Sequence, residues 1–373
     1  MRRRISVGFS VLVLWAGLQV RPVATTWPIP TDKQNLLVYY DDAHMPHAIR
    51  TPADWEIRRA QIIFNMSLVM GPPPKPSMLP VDVRVMETVE TPTYRRQKIS
   101  YQGADGDRVP AYLFIPKLAK REKIPGILCL HETTPVGMGG PAGLGGRPNR
   151  HTALELAERG FVTLAPDYPN FGDYHFDAYA HGYASTTMKG ISNHRRAVDL
   201  LQSLPEVNPD AIGVIGHSLG GHNAMFVAVF DKRIKAVVTS CGFTSFAKYK
   251  GGNLAGWSHV GYMPRIAEVY YNNPAKMPFD FTEVLAALAP RPVFINAPTG
   301  DDNFDVSGVD DCVKAALPVY REIYNAAPNL QVTHPVCGHD FPPEVREASY
   351  RFLAQALRSP NRGVPVIKGV TPP

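Results

Sequence analysis

The sequence predicts an α/β fold, in which a mainly parallel central sheet is covered by helices on both faces. Short, continuous apolar runs alternate with helical patterns from residue 125 onward, and the run at residues 211–216 passes directly into a helix beginning near Leu219. Strands that are buried on both faces give continuous apolar runs, as parallel sheets require. A chain of 373 residues with a 45% hydrophobic fraction can bury such a core.

The first predicted elements precede this alternating region. Residues 54–69 have helical character, and the proline-rich stretch at 71–80 ends that helix. Two strands, at residues 94–101 and 109–116, flank a turn rich in glycine and aspartate. Their spacing predicts an antiparallel hairpin.

The alternating region supplies the remaining strands and helices. Predicted strands cover residues 125–131, 161–166, 211–216, 235–241, 292–297 and 330–335. Predicted helices cover residues 152–159, 187–204, 310–326 and 343–357, besides the one starting near Leu219. Residues 243–281 break the rhythm, so we interpret them as a cap-like insertion over the carboxyl edge of the sheet, where α/β folds bind ligands.

The predicted domain organisation follows from these elements. A signal peptide or anchor covers residues 1–24, a helical extension residues 25–93, the α/β domain residues 94–360 and a tail residues 361–373. Three arginines precede a mostly apolar run at residues 5–20, which predicts export to the periplasm or outside the cell. That run is shorter than a spanning helix, so membrane association is expected only if the segment stays uncleaved.

The charge distribution argues against a nucleic-acid partner. Arg2, Arg3, Arg4 and Arg21 supply four of the six net positive charges. No basic helix interleaved with aromatic residues is found in the sequence.

The cysteines and glycines give no sign of a cofactor or a metal. Cys129 and Cys241 end apolar runs and are expected to be buried free thiols, whereas Cys312 and Cys337 could pair. No Cys/His cluster has metal-ligand spacing. The glycine-rich stretch at 137–146 lacks the GK[ST] ending of a phosphate-binding loop, so it is interpreted as a mobile active-site loop.

The strongest motif is Gly216-His217-Ser218-Leu219-Gly220, between a predicted strand and a predicted helix. A serine on this sharp turn is lifted clear of its neighbours, and small residues two before and two after it relieve the crowding. Ser218 is therefore the predicted nucleophile.

A nucleophilic serine needs a base and an acid that orients the base, in the chain order Ser, Asp/Glu, His. His339, in a loop before the last helix, is the predicted base, and His334 is expected to be structural. Asp301, shortly after the strand at 292–297, is the preferred acid, with Asp302 as the alternative.

The oxyanion needs two backbone N–H groups. Leu219 is expected to supply one, and either Glu132 or Thr133 the other, since both follow the strand at 125–131. In the insertion, residues that could contact substrate are Trp257, His259, Tyr262 and Arg265, with core packing as the alternative. Arg265 could equally pair with Glu268.

With these residues placed, the chain resembles the bacterial dienelactone hydrolase and acetyl xylan esterase-like group of α/β hydrolases, over about residues 94–357. The resemblance is carried by GHSLGG, LCLHETTP, APDYPNFGDY, APRPVFIN and CGHDFPPE. It departs at Glu132, where many such enzymes have glycine. It implies a serine esterase that needs no cofactor, but it does not select a substrate. Sugar acetates, glucuronoyl esters, lactones and xenobiotic esters are all candidates.

Two other function classes are weaker. A serine peptidase of the prolyl-oligopeptidase type would carry a β-propeller before the hydrolase strands, and fewer than a hundred residues precede them here. A non-catalytic binding protein on a hydrolase scaffold would have no need of the Ser/Asp/His order.

Overall fold

The structure is a computed structural model that describes residues 27–357, except 74, 75, 77, 78, 121 and 122. The predicted export segment at 1–24 and the predicted tail at 361–373 lie outside these residues. None of the helices in the described part combines the length and apolar character needed to cross a membrane.

The elements alternate as the sequence predicts. The strands are β1 (Val38–Tyr40), β2 (Pro46–Ala48), β3 (Arg84–Glu90), β4 (Tyr94–Gln102), β5 (Arg108–Pro116), β6 (Ile124–Leu130), β7 (Val162–Pro166), β8 (Val207–His217), β9 (Ile234–Ser240), β10 (Val293–Asn296) and β11 (Leu330–Thr333). The helices are α1 (Pro52–Met70), α2 (Thr152–Glu158), α3 (Thr186–Ser203), α4 (Leu219–Phe230), α5 (Arg265–Glu268), α6 (Phe281–Ala286), α7 (Val306–Pro318) and α8 (Pro343–Ala356). Every strand and helix predicted from residue 94 onward is present, with ends shifted by a few residues.

One nine-stranded sheet within the described residues has the order β11-β10-β9-β8-β6-β7-β5-β4-β3. Strands β6 to β11 pair in parallel, and β3, β4 and β5 add an antiparallel edge through β7. This confirms the mainly parallel sheet. The sheet also takes in β3, which belongs to the segment predicted as an N-terminal extension.

Two hydrophobic cores lie on opposite faces of this sheet. Val214 and Ile215, consecutive in β8, belong to different cores because successive side chains of a strand point to opposite faces. One core includes residues of α1, α3 and α4, and the other includes residues of α2 and α8. The predicted two-sided covering of the sheet is therefore confirmed.

Helix α1 is fixed to the main core rather than detached from it. Thr51 and Asp54 form a capping box at its start, which satisfies otherwise free N–H groups. Trp55 is fully buried, and Arg58 forms a buried ion pair with Glu283 of α6. The extension and the sheet thus share one folded unit.

Helix α7 begins earlier than the predicted 310–326. The Asp305 side chain accepts a hydrogen bond from Ser307 N at 2.8 Å, which caps the helix. The regular helix ends at Pro318, and a wider helical turn over Val319–Ile323 continues it.

The carboxyl ends of the central strands are level. In the parallel register Gly216 of β8 pairs with Leu130 and Thr239, while Asn296 of β10 pairs with Ser240 and Thr333. The loops after β6, β8, β10 and β11 therefore meet at one edge, and these loops carry the predicted site residues.

Candidate active site

Ser218 sits on a strained turn between β8 and α4. Its backbone angles are φ 53° and ψ −117°, a conformation that costs a non-glycine residue free energy and that clusters at functional sites. A Cβ on Gly216 would lie 2.1 Å from the Gly220 carbonyl oxygen, and a Cβ on Gly220 would lie 2.1 Å from the Leu130 oxygen. Both glycines of the motif are thus required by close backbone approach.

Asp301 and His339 are brought together by the loops after β10 and β11. His339 Nδ1 lies 3.0 Å from both carboxylate oxygens of Asp301. An ionised carboxylate can only accept, so Nδ1 carries the proton and Nε2 is free to accept one. Asp302 makes no such contact with His339 among the described residues; its carbonyl oxygen accepts from Lys250.

The Asp301 carboxylate is built to stay ionised. Burial of the side chain opposes ionisation, but the hydrogen bond and charge of His339 and the N–H groups of Phe304 and Asn303 outweigh it and hold the pKa below its usual value. Its side chain is 1% exposed, whereas that of His339 is 21% exposed. The buried acid therefore orients a base that reaches solvent and substrate.

The imidazole of His339 is flanked by two rings. The His217 ring lies 4.8 Å away and the Phe304 ring 5.8 Å away, measured between centroids. Burial, followed by the charges of Arg150, His339 and Arg147, lowers the pKa of His217 well below its usual value. A neutral His217 puts no second positive charge beside the base.

A buried arginine that sequence reasoning missed joins the loop after β6 to the His339 loop. Arg150 Nε donates to Glu132 Oε2 at 2.8 Å, and Nη1 donates to Asp340 Oδ1 at 2.7 Å. Its Nη2 donates to the carbonyl oxygen of His339 at 3.3 Å. This explains Glu132, the departure from the usual glycine: the carboxylate is the partner of Arg150.

Replacing Arg150 with methionine is expected to lower kcat by about 10²-fold, since misplacing catalytic groups by about 1 Å has that effect. Loss of the shared partner of Glu132 and Asp340 should also lower the free energy of unfolding by about 2–4 kcal/mol. Urea denaturation and ester kinetics measure both. Arg159→Met, which breaks a half-exposed pair with Glu347, is the control and should change stability by less than about 1 kcal/mol. Wild-type kcat in Arg150→Met would rule out the positioning role.

His131 holds the start of the Glu132 loop in a single tautomer. Tyr168 N donates to His131 Nε2 at 2.9 Å, so Nδ1 must carry the proton, and it donates to the Glu132 carbonyl oxygen at 2.6 Å. Burial lowers the pKa of His131 to about 4, partly offset by that carbonyl and the Glu132 charge. Protonation of Nε2 would place its N–H against the Tyr168 N–H, so that two hydrogen-bond donors would face each other.

This pKa predicts a loss of stability in acid. Because the folded value of about 4 lies below the ordinary 6.5, the unfolded chain takes up the proton first as pH falls. The contribution is complete above about pH 6.5 and is lost toward pH 4, for a total of about 3 kcal/mol. The free energy of unfolding, measured with urea at pH 7, 5.5 and 4, should fall less with decreasing pH in His131→Asn than in wild type. His259→Asn, at an exposed ring, is the control; equal slopes in all three proteins would contradict the assignment.

A cavity of about 280 Å³ lies in front of these groups. Ser218 and His339 both line it, as do Glu132 and Thr133 of the loop after β6. Leu219 begins α4 directly after Ser218. The oxyanion-hole assignment of Leu219 with Glu132 or Thr133 stays a prediction.

The four residues predicted to contact substrate differ in where they lie relative to the cavity. Tyr262 does not itself line the cavity, but its hydroxyl lies 2.9 Å from Oγ1 of Thr133, which does. His259 is exposed on the insertion and does not line the cavity. Trp257 is only 3% exposed and packs in an aromatic cluster, so the packing alternative holds for it. Arg265 donates to the Leu68 carbonyl oxygen of α1 at 3.1 Å and does not line the cavity, so a contact with substrate stays a prediction.

All four cysteines are free, so the possible pairing of Cys312 with Cys337 does not occur.

In the described part of the chain, His217, Cys241 and His339 form one group of potential metal ligands, within 4.8 Å of one another. Bonds of 2.0–2.3 Å to zinc would need these atoms roughly 3.5 Å apart. Burial and the nearby Asp301 also raise the pKa of the Cys241 thiol well above its usual value. The raised thiol pKa disfavours the thiolate that a metal ion would bind.

Comparison with known proteins places the chain in a family. The chain is 30% identical over 211 residues to "Putative hydrolase YtaP" of Bacillus subtilis (strain 168), covering 54% of this chain and 67% of that protein. This chain belongs to the α/β-hydrolase superfamily, in its esterase-like group. A family model described as "Glucuronyl esterase, fungi" matches residues 172–324 of the hydrolase.

Two further proteins resemble this hydrolase at lower identity. It is 28% identical over 157 residues to the 4-O-methyl-glucuronoyl methylesterase of Hypocrea jecorina (strain QM6a), covering 38% of this chain. The hydrolase spans only about a third, 33%, of the length of that enzyme. A solved glucuronoyl esterase from Solibacter usitatus superposes with a TM-score of 0.68 at 16% identity, covering 88% of this chain and 98% of that one. This last likeness concerns the fold.

Proposed function

We propose that this hydrolase cleaves carboxylic esters of carbohydrates, with Ser218 as nucleophile, His339 as base and Asp301 as acid. One observation carries the proposal: the strained turn at Ser218 and the 3.0 Å pair of His339 and Asp301 open onto the same cavity. A strained nucleophile that shares a cavity with an oriented imidazole is suited to activation of a weakly acidic hydroxyl.

In the proposed reaction, His339 Nε2 takes the proton of the Ser218 hydroxyl as Oγ attacks the ester carbonyl. The oxyanion of the tetrahedral intermediate accepts hydrogen bonds from Leu219 N–H and from one amide of Glu132 or Thr133. His339 then gives the proton to the departing alcohol, which leaves an acyl group on Ser218. Water loses a proton to His339, attacks the acyl carbonyl and releases the carboxylic acid, and Ser218 regains its proton.

The carbohydrate part of the proposal rests on two lines of support. The fungal glucuronyl esterase family model covers the nucleophile and the acid, and a curated relative is a glucuronoyl methylesterase. Two residues that line the cavity, Thr133 and Thr134, also carry hydroxyls. Such groups both donate and accept, as recognition of sugar hydroxyls needs.

A substrate panel tests the proposal. Purified protein would be given acetylated xylan, a methyl ester of glucuronic acid, p-nitrophenyl acetate and a peptide p-nitroanilide, with acid or chromophore release as the readout. Turnover of at least one carbohydrate ester with no peptide cleavage is the expected result. Peptide cleavage would favour a peptidase. Labelling by a fluorophosphonate probe without any ester turnover would limit the claim to a reactive serine.

We also propose that the protein is exported, because Arg2 to Arg4 precede an apolar run of signal-peptide length. Cell fractionation with mass determination of the mature chain would test this. Full-length protein recovered from the cytoplasm would contradict it.

A further inference from the structure

Arg147 is a cation on the wall of the cavity that holds Ser218 and His339. It comes from the loop between β6 and α2 and lines the 280 Å³ space together with Gly146 and Thr134. Its side chain is exposed, so the guanidinium is reachable from solvent. Nothing in the proposed ester mechanism uses this charge.

The other charges around the cavity already have partners. Arg150, three residues along, is engaged by Glu132 and Asp340 at 2.7–2.8 Å. The Asp301 carboxylate is 1% exposed behind His339. Among the residues that the structure describes, no carboxylate forms an ion pair with Arg147, although pairs are found for Arg150 and Arg159 on either side of α2.

The charge of Arg147 also acts electrostatically on the turn that carries Ser218. After burial and the charges of Arg150 and His339, it is the next contribution that lowers the pKa of His217, the residue before Ser218. A guanidinium within electrostatic reach of the nucleophile and open to the cavity is suited to a carboxylate, which it can bind through two parallel hydrogen bonds.

We propose that Arg147 forms a subsite for a second, anionic group of the substrate, so that the preferred substrate is an ester of a compound that also carries a free carboxylate. An acetyl ester on a uronic acid belongs to this class, whereas an ester of the uronic carboxyl itself does not. This inference rests on the proposed ester hydrolysis and narrows its substrate class.

A matched pair of acetyl esters tests the inference: 4-acetoxybenzoate, which is anionic, and its neutral methyl ester. Wild type is expected to show a higher kcat/KM for the anion. Arg147→Gln should lower kcat/KM about 10- to 100-fold for the anion, mostly through KM, and less than about three-fold for the neutral ester. Arg147→Lys should retain part of the preference. Raising NaCl from 0.05 to 0.5 M should weaken the preference in every protein that keeps a cation at position 147, and should have little effect on Arg147→Gln, because salt screens the attraction.

Lys235→Gln is the control. Lys235 is exposed near the start of β9, at the end of that strand away from the active site, and the substitution removes the same charge. It should leave both substrates unchanged. A second readout needs no turnover: glucuronate should slow fluorophosphonate labelling of Ser218 in wild type and in Lys235→Gln, but not in Arg147→Gln.

The outcomes separate the two proposals. Equal losses on both esters in Arg147→Gln would mean that the residue acts on the shared acyl group, and no loss would mean that it binds no substrate; either overturns the subsite. Wild type that hydrolyses the neutral ester without preferring the anion, and is not protected by glucuronate, overturns the subsite but leaves ester hydrolysis standing. Wild type that hydrolyses neither ester nor any member of the carbohydrate panel overturns ester hydrolysis, and the subsite with it.

Discussion

Replacing Ser218 with alanine is expected to lower kcat for ester hydrolysis by about 10⁵–10⁶-fold while the protein stays folded. The change removes the one oxygen that forms the acyl bond, and it adds no atom to a turn where Gly220 already lies against the Leu130 carbonyl. The measurement is initial-rate kinetics on whichever ester the substrate panel identifies, with circular dichroism and thermal unfolding to confirm that the fold is kept.

Ser258→Ala is the matched control for this prediction. Ser258 belongs to the insertion, and its hydroxyl donates to the Ala255 carbonyl oxygen rather than lining the cavity. It should keep wild-type kcat and fluorophosphonate labelling, whereas Ser218→Ala should lose both. More than about 1% of wild-type kcat in a folded Ser218→Ala protein would remove Ser218 from the mechanism.

Asp301→Asn is expected to lower kcat by about 10⁴-fold. An amide nitrogen facing His339 Nδ1 would favour the tautomer with the proton on Nε2, and that nitrogen could then no longer accept the Ser218 proton. The amide oxygen can still accept from the backbone N–H groups of Asn303 and Phe304, so the loop should keep its shape. The effect should therefore fall on kcat, with KM little changed.

The neighbouring Asp302 offers the same substitution one position along. Asp302→Asn should change kcat less than about two-fold, because its contact to Lys250 is through the backbone carbonyl. Steady-state kinetics on both variants decide between the two carboxylates. A large loss in Asp302→Asn with little loss in Asp301→Asn would reverse the assignment of the acid.

The parts of the fold that the sequence predicts are those with a strong local signal. The apolar runs of β6, β8 and β9 are buried on both faces, so they stand out in the sequence. Strand β3 was missed because it is an edge strand with almost every side chain exposed. Strands β1 and β2 are three residues each, too short to show a period.

The candidate site likewise contains residues that the sequence predicts and residues that it does not. Ser218, Asp301 and His339 could be nominated because the chain order and the strand ends restrict the choice. Arg147 and Arg150 could not, since an arginine in a glycine-rich loop gives no sign of which carboxylate it meets across the sheet edge. Glu132 was noticed as a departure, but its partner lies 18 residues along the chain and carries no sequence pattern.

The attachment of α1 to the core decides how much of the chain a recombinant version should retain. The sheet taken from residue 94 onward looks self-sufficient in the sequence, yet Glu283 faces Arg58 across an interface from which water is excluded, and Arg59 donates to the Ala287 carbonyl oxygen at 3.0 Å. A protein that begins at residue 94 would leave the Glu283 carboxylate buried without its arginine partner. Expression and crystallisation trials, and any grafting of this catalytic unit onto another protein, should therefore begin the chain upstream of Thr51.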